Sequence, residues 1–131
     1  DPVRSEWKVR AAFGPGAGYD AAIEIFESTD SPPDALFVAS DEQAIGALKA
    51  LEHLGLRCPE DVALVAFDGI GASAFTRPGV TTMSQPFDLM GKQSVEALLS
   101  AIGGDVVTSL DPLKAELTVR ESCGCVAVSV R

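Results

Sequence analysis

At 131 residues with 47% hydrophobic content, the chain can bury one modest core and is too apolar to be disordered. Ten Lys+Arg against nineteen Asp+Glu give a formal net charge of -9, which argues against nucleic-acid binding by this segment, since that needs clustered cations to displace counterions from phosphate. No apolar run approaches the roughly 20 residues of a spanning helix, so no membrane contact is expected.

In chain order, the N-terminus Asp1-Pro2-Val3 lacks Met and the basic-then-apolar layout of a signal peptide, which predicts a piece of a longer protein. Trp7 to Phe13 (WKVRAAF) predicts a first strand. Tyr19, Ala22, Ile23 and Phe26 then fall on one helical face. The turn cluster Thr29 to Asp34 carries two prolines that cannot continue that helix. Ala35 to Ala39 (ALFVA) reads as a strand covered on both faces. Ser40 followed three residues later by Gln43 fits a capping box, and the helix it opens runs to about Leu54, with Ile45, Leu48 and Leu51 on one stripe and Gly55 as its stop.

Val62 to Phe67 (VALVAF) predicts another buried strand, and Val80 to Ser84 (VTTMS) a short run leading to Pro86 at the first turn of a helix. Phe87, Met90, Ser94, Val95, Leu98, Leu99 and Ile102 share a face of that helix before Gly103-Gly104 ends it, and Leu117 to Arg120 predicts a last strand. Short strands alternating with helices predict an α/β fold with a parallel sheet.

The stretch FGPGAGYD, residues 13–20, invites a nucleotide-loop reading. Gly14 and Gly16 fit G-x-G-x-x-G, and Asp41 ends the next strand, but Tyr19 stands where the third glycine belongs. A glycine-rich turn opening a helix is the simpler account. Asp68 ends a buried strand, the edge at which open parallel sheets bind ligands. A phosphoacceptor role for it lacks the expected acidic pair and lysine. No nucleophile elbow or His-paired serine occurs, so a binding module is favoured over an enzyme. Cys58, Cys123 and Cys125 are an odd set, which favours a reducing cytoplasm over a disulfide framework. With one histidine, His53, in the chain, neither a metal site nor a cofactor is expected.

The runs PDALFVASDEQAIGALKALEHLGLRCPEDVALVAFDG (33–69), TRPGVTTMSQPFDLMGKQSVEALLSAIGG (76–104) and LTVRES (117–122) together resemble the effector-binding region of LacI/GalR-type (lac-repressor-type) transcription regulators. The resemblance implies a three-layer, periplasmic-binding-protein-like (type I) effector domain, of which residues 1–131 would be the C-terminal portion. The DNA-binding domain and first lobe would then lie outside this sequence. It implies a sugar or nucleoside-like small-molecule effector held by Phe13, Ser40, Asp41, Asp68, Gln85 and Phe87. Phe13 would stack on the ligand ring, Asp68 accept hydrogen bonds from hydroxyls or a base edge, and Gln85 and Phe87 stand at a crossover between lobes. It makes FGPGAGYD a turn behind Phe13 rather than a phosphate loop. The helix over 86–102 would pack on the other lobe, and in the fragment alone its face would be hidden in a homodimer. DNA would be reached only through the N-terminal domain. A sensor module of a kinase or cyclase and a periplasmic sugar-binding protein are the alternative readings.

Overall fold

The computed structural model describes residues 3–105 and 112–125. A short 3-10 turn, Ser5–Trp7, precedes α1 (Pro15–Glu27), β1 (Ala35–Phe37), α2 (Asp41–His53), β2 (Ala63–Asp68), β3 (Thr81–Ser84), α3 (Phe87–Ile102) and β4 (Glu116–Thr118). The sheet order is β1-β2-β3-β4. The first three strands are parallel, with Leu36 opposite Leu64 and Ala66 opposite Thr82, while β4 runs antiparallel to β3. The α/β architecture is as expected, with one antiparallel edge that the alternating pattern did not disclose.

Helices α1 and α2 cross tightly because glycine removes the side chains between them. A Cβ on Gly18 would overlap the backbone of Gln43, and one on Gly46 would overlap the carbonyl of Pro15. The core beneath them gathers Ala22, Ile25, Ala44, Ala47, Ala50 and Leu51 from the helices and Leu36, Leu64 and Ala66 from the sheet. Alanine dominates the helical side, so the helices lie close to the strands and little volume is needed to fill the gap.

Several expectations are corrected. Trp7 to Phe13 is not a strand. Its apolar-polar alternation has no partner strand among the described residues. It is tied down by side chains instead, the Trp7 indole N–H donating to the Ser31 carbonyl at 3.1 Å. FGPGAGYD is not a turn throughout. Only Phe13 and Gly14, the latter at φ 106°, lie outside the helix, and Pro15 starts it because a fixed φ and a missing N–H cost nothing at a first helical position. β1 is covered on one face, with Leu36 buried and Phe37 70% exposed. Pro86 stands one place before α3 rather than in its first turn.

Two local devices fix the strand registers. Before β2, the Arg57 guanidinium grips the Asp61 carboxylate through Nε at 2.8 Å and Nη2 at 2.6 Å, while the Arg57 N–H donates to the same carboxylate at 2.8 Å. These bonds hold the exposed Asp61 carboxyl down to about 2. At the far end of the chain, the fully buried Ser122 hydroxyl accepts from the Thr81 N–H at 2.8 Å and donates to the Leu64 carbonyl at 2.6 Å. One hydroxyl thereby satisfies a donor and an acceptor on neighbouring strands.

Candidate functional site: the carboxyl rim of the parallel strands

Because β1, β2 and β3 are parallel, their carboxyl ends share one rim, where Ser40, Asp68 and Gln85 emerge. Asp68 is half-buried and is the one non-glycine with positive φ among the described residues, at 125°. An L-residue held there stores strain that the surroundings must overcome. They do so from β3: the Gln85 N–H donates to the Asp68 carbonyl at 2.9 Å, and Gln85 Nε2 donates to Oδ1 at 2.8 Å. Among the described residues Oδ2 receives no donor, which leaves it open to a ligand. Gly69 follows at φ 81°, and a Cβ there would overlap Ser84, so the chain turns away from the sheet in the only space available.

Asp41 stands apart from that arrangement. It is fully buried, and its Oδ2 accepts from the N–H groups of Gly69 at 3.0 Å and Ile70 at 2.9 Å. Its Oδ1 accepts from the Thr82 hydroxyl at 2.6 Å. The carboxylate ties the ends of β1, β2 and β3 together from behind the rim, with no lone surface to offer a ligand. Ser40 is likewise buried, and its hydroxyl accepts from the Gln43 N–H at 3.2 Å as the cap of α2.

The segment before Phe13 is tied to the start of α2 by a residue that the sequence pattern marked only as half of a capping box. Gln43 Nε2 donates to the Ala12 carbonyl at 2.7 Å, while its Oε1 accepts from the Ser40 hydroxyl at 3.2 Å. The segment before α1 is thus clamped to the start of α2, and the Phe13 ring beside it is 83% exposed. A glutamate in this position would complete the box but could not donate to a carbonyl. The choice of Gln is the signal, though its partner, 31 residues away, could not be read from spacing. Phe87, 47% exposed, opens α3 directly after Gln85 and Pro86.

The rim therefore presents a partly free carboxylate and an amide, with the exposed Phe13 and Phe87 on the segments that adjoin it. A groove of about 880 Å³ lies elsewhere, along the outer faces of α1 and α2 near Arg77 and Pro78, and none of the six candidate residues lines it. Beside it, the exposed His53 ring stacks on Tyr19 at 6.0 Å between centroids, with the Tyr19 hydroxyl bonded to Nδ1. Among the described residues no cluster of His, Cys, Asp and Glu could hold a metal, and no helix is long and apolar enough to cross a membrane.

The family described as periplasmic binding protein-like domain matches residues 2–123. The chain is 43% identical over 98 residues to the HTH-type transcriptional repressor MelR of Bacillus subtilis, covering 75% of this chain and 28% of that protein. It is 36% identical over 100 residues to the repressor PurR of Pectobacterium atrosepticum, covering 76% and 29%. The chain thus spans under a third of the length of these curated relatives. Among solved structures, the transcriptional regulator CelR in complex with cellobiose superposes with a TM-score of 0.82 at 33% identity, over 92% of this chain and 37% of CelR. A LacI-family regulator of Arthrobacter sp. FB24 in complex with lactose gives 0.75 at 32% identity, over 86% and 42%.

Proposed function

This chain belongs to the periplasmic binding protein-like family in its LacI/GalR-type branch, and we propose that it is the effector-sensing and dimerising part of a transcription regulator. The observation that carries the reading is Asp68, held at a strained φ of 125° on the carboxyl rim by Gln85 with one carboxylate oxygen left free. Strain of this kind costs about 1–3 kcal/mol and persists where the surroundings over-determine it, typically at ligand sites.

Phe13 would cover the apolar face of a sugar or nucleoside-like ring, while Asp68 and Gln85 fix its orientation through hydroxyl or base-edge hydrogen bonds. Phe87 would close against the ligand from the start of α3. Ser40 and Asp41 act in this reading as supports, since both are buried and bonded to the protein. The open rim and the apolar side chains of α3 are what a half-cleft presents, with the remaining lobe and a DNA-binding head supplied by segments outside this sequence. Effector binding would then bias an open–closed equilibrium that reaches DNA only through that head. The similar proteins named above are transcriptional repressors, which supports reading the chain as a cytoplasmic sensor rather than an enzyme.

The test is a thermal-shift and calorimetry panel of sugars, nucleobases and nucleosides on the full-length regulator carrying this domain. Saturable stabilisation by one class is expected, weakened at least tenfold by Asp68→Asn, since a charge-assisted hydrogen bond contributes about 1.5–3 kcal/mol. Undiminished binding by the variant would remove Asp68 from the site.

A further inference from the structure

Cys58, Cys123 and Cys125 are used by nothing on the rim, yet the fold gathers them near the amino ends of β2 and β3. The loop carrying Cys58 and Pro59 lies against the 3-10 turn Glu121–Cys123, where the Cys58 thiol donates to the Ser122 carbonyl at 3.5 Å. Gly124 sits over Pro59, and its φ of 68° turns the chain so that Cys125 folds back on Cys123. The Cys125 N–H donates to Cys123 Sγ at 3.3 Å, and the Cys125 thiol donates to the Cys123 carbonyl at 3.8 Å. Cys125 is exposed, Cys123 is half-buried, and all three are free thiols.

We propose that Cys123 and Cys125 form a redox-active dithiol, a modification site that closes to a Cys123–Cys125 disulfide with a small disulfide such as oxidised glutathione as oxidant. The two thiols differ in readiness. Burial tends to raise the Cys123 thiol, but hydrogen bonds from Cys125, Thr81 and the backbone outweigh it and bring it below the ordinary value. The hydrogen bond to Cys123 holds the Cys125 thiol above it. Cys58 is pushed up to about 11, chiefly by burial, and stays a thiol.

The Cys123 thiolate attacks one sulfur of oxidised glutathione, its S–S bond breaks, and one glutathione thiolate leaves with a mixed disulfide formed on Cys123. Cys125 then loses its proton to water and attacks Cys123 Sγ, releasing the second glutathione. The protein loses two electrons and two protons, and the oxidant gains both to become two glutathione thiols. Closure fixes the turn at Gly124, two residues after the Ser122 hydroxyl that pins β2 to β3.

The experiment equilibrates the 131-residue chain in a series of reduced and oxidised glutathione mixtures, quenches with acid, and counts maleimide-reactive thiols by mass spectrometry. The expected result is cooperative loss of two of the three thiols, with peptide mapping to Cys123 and Cys125, and no change in this behaviour for Cys58→Ser. Cys125→Ser, at an exposed position, should stop at a single glutathione adduct on Cys123. Three reactive thiols throughout the series would overturn the proposal. So would closure that requires Cys58, or protection reversed by a chelator without reductant.

Discussion

Asp41 and Asp68 are both acidic residues at strand ends, and the sequence does not distinguish them. The structure separates them by burial and by what their oxygens hold. Asp41 is 0% exposed and serves three donors, so Asp41→Ala strands the Gly69 and Ile70 amides and the Thr82 hydroxyl inside the protein. That substitution is expected to cost about 3–5 kcal/mol in urea unfolding, the range for breaking a buried charged network. Asp68→Asn removes no buried bond, because Gln85 can still donate to the side-chain oxygen. Its unfolding midpoint should stay within about 1 kcal/mol of the parent while ligand binding falls. If Asp68→Asn proved the more destabilising of the two, the division into support and contact would be reversed.

At the scale of elements, what could be read from the sequence was what local chemistry dictates. The S-x-x-Q cap of α2 and the Gly103-Gly104 stop stand where their patterns placed them, and the VALVAF strand forms one residue later, as Ala63–Asp68, with Leu64 and Ala66 buried. What could not be read depended on neighbours. WKVRAAF has the period of a strand but no strand lies beside it, and β4 takes its direction from the partner it meets on β3. The glycines are the clearest case, since Gly14 and Gly16 have the spacing of a phosphate loop but open space around them, while Gly18 and Gly46 let two helices touch. Gly46→Ala would drive a methyl into the Pro15 carbonyl and is expected to cost about 1–3 kcal/mol. Gly91→Ala, in α3 with open space around it, should instead gain about 1 kcal/mol from helix propensity. Urea midpoints moving in the same direction for both would show that the crossing is not set by sterics. Phe13 was legible as a ligand candidate only through the family pattern, whereas Asp68 was marked already by its place at the end of a strand. The partner of the Gln43 clamp was not legible, because a side-chain amide bridging 31 residues leaves no periodic trace.

At the scale of the whole molecule, α3 buries no residue, and Val95, Leu98, Leu99 and Ile102 are 57–74% exposed along it. Each such side chain gains about 1.5–3 kcal/mol when removed from water, so an apolar face this continuous does not stay solvated at high protein concentration. Sedimentation velocity on the 131-residue chain is expected to show mass rising with concentration, and Leu98→Glu with Ile102→Glu to return it to a monomer without lowering its melting temperature. A monodisperse monomer across the range would contradict this. The Asp41 knot has a different consequence, for the order in which the protein comes into being. Its bonds to Gly69 and Ile70 span 28 and 29 residues and close only once β2 lies beside β1, while its bond to Thr82 spans 41 and waits for β3 to lie beside β2. Closing such long loops is paid in chain entropy before any bond is returned, which makes late contacts of this kind characteristic of high contact order. The Asp41 knot therefore closes only on a sheet that has already formed, and a chain that has the ligand rim in place has already paired its three parallel strands.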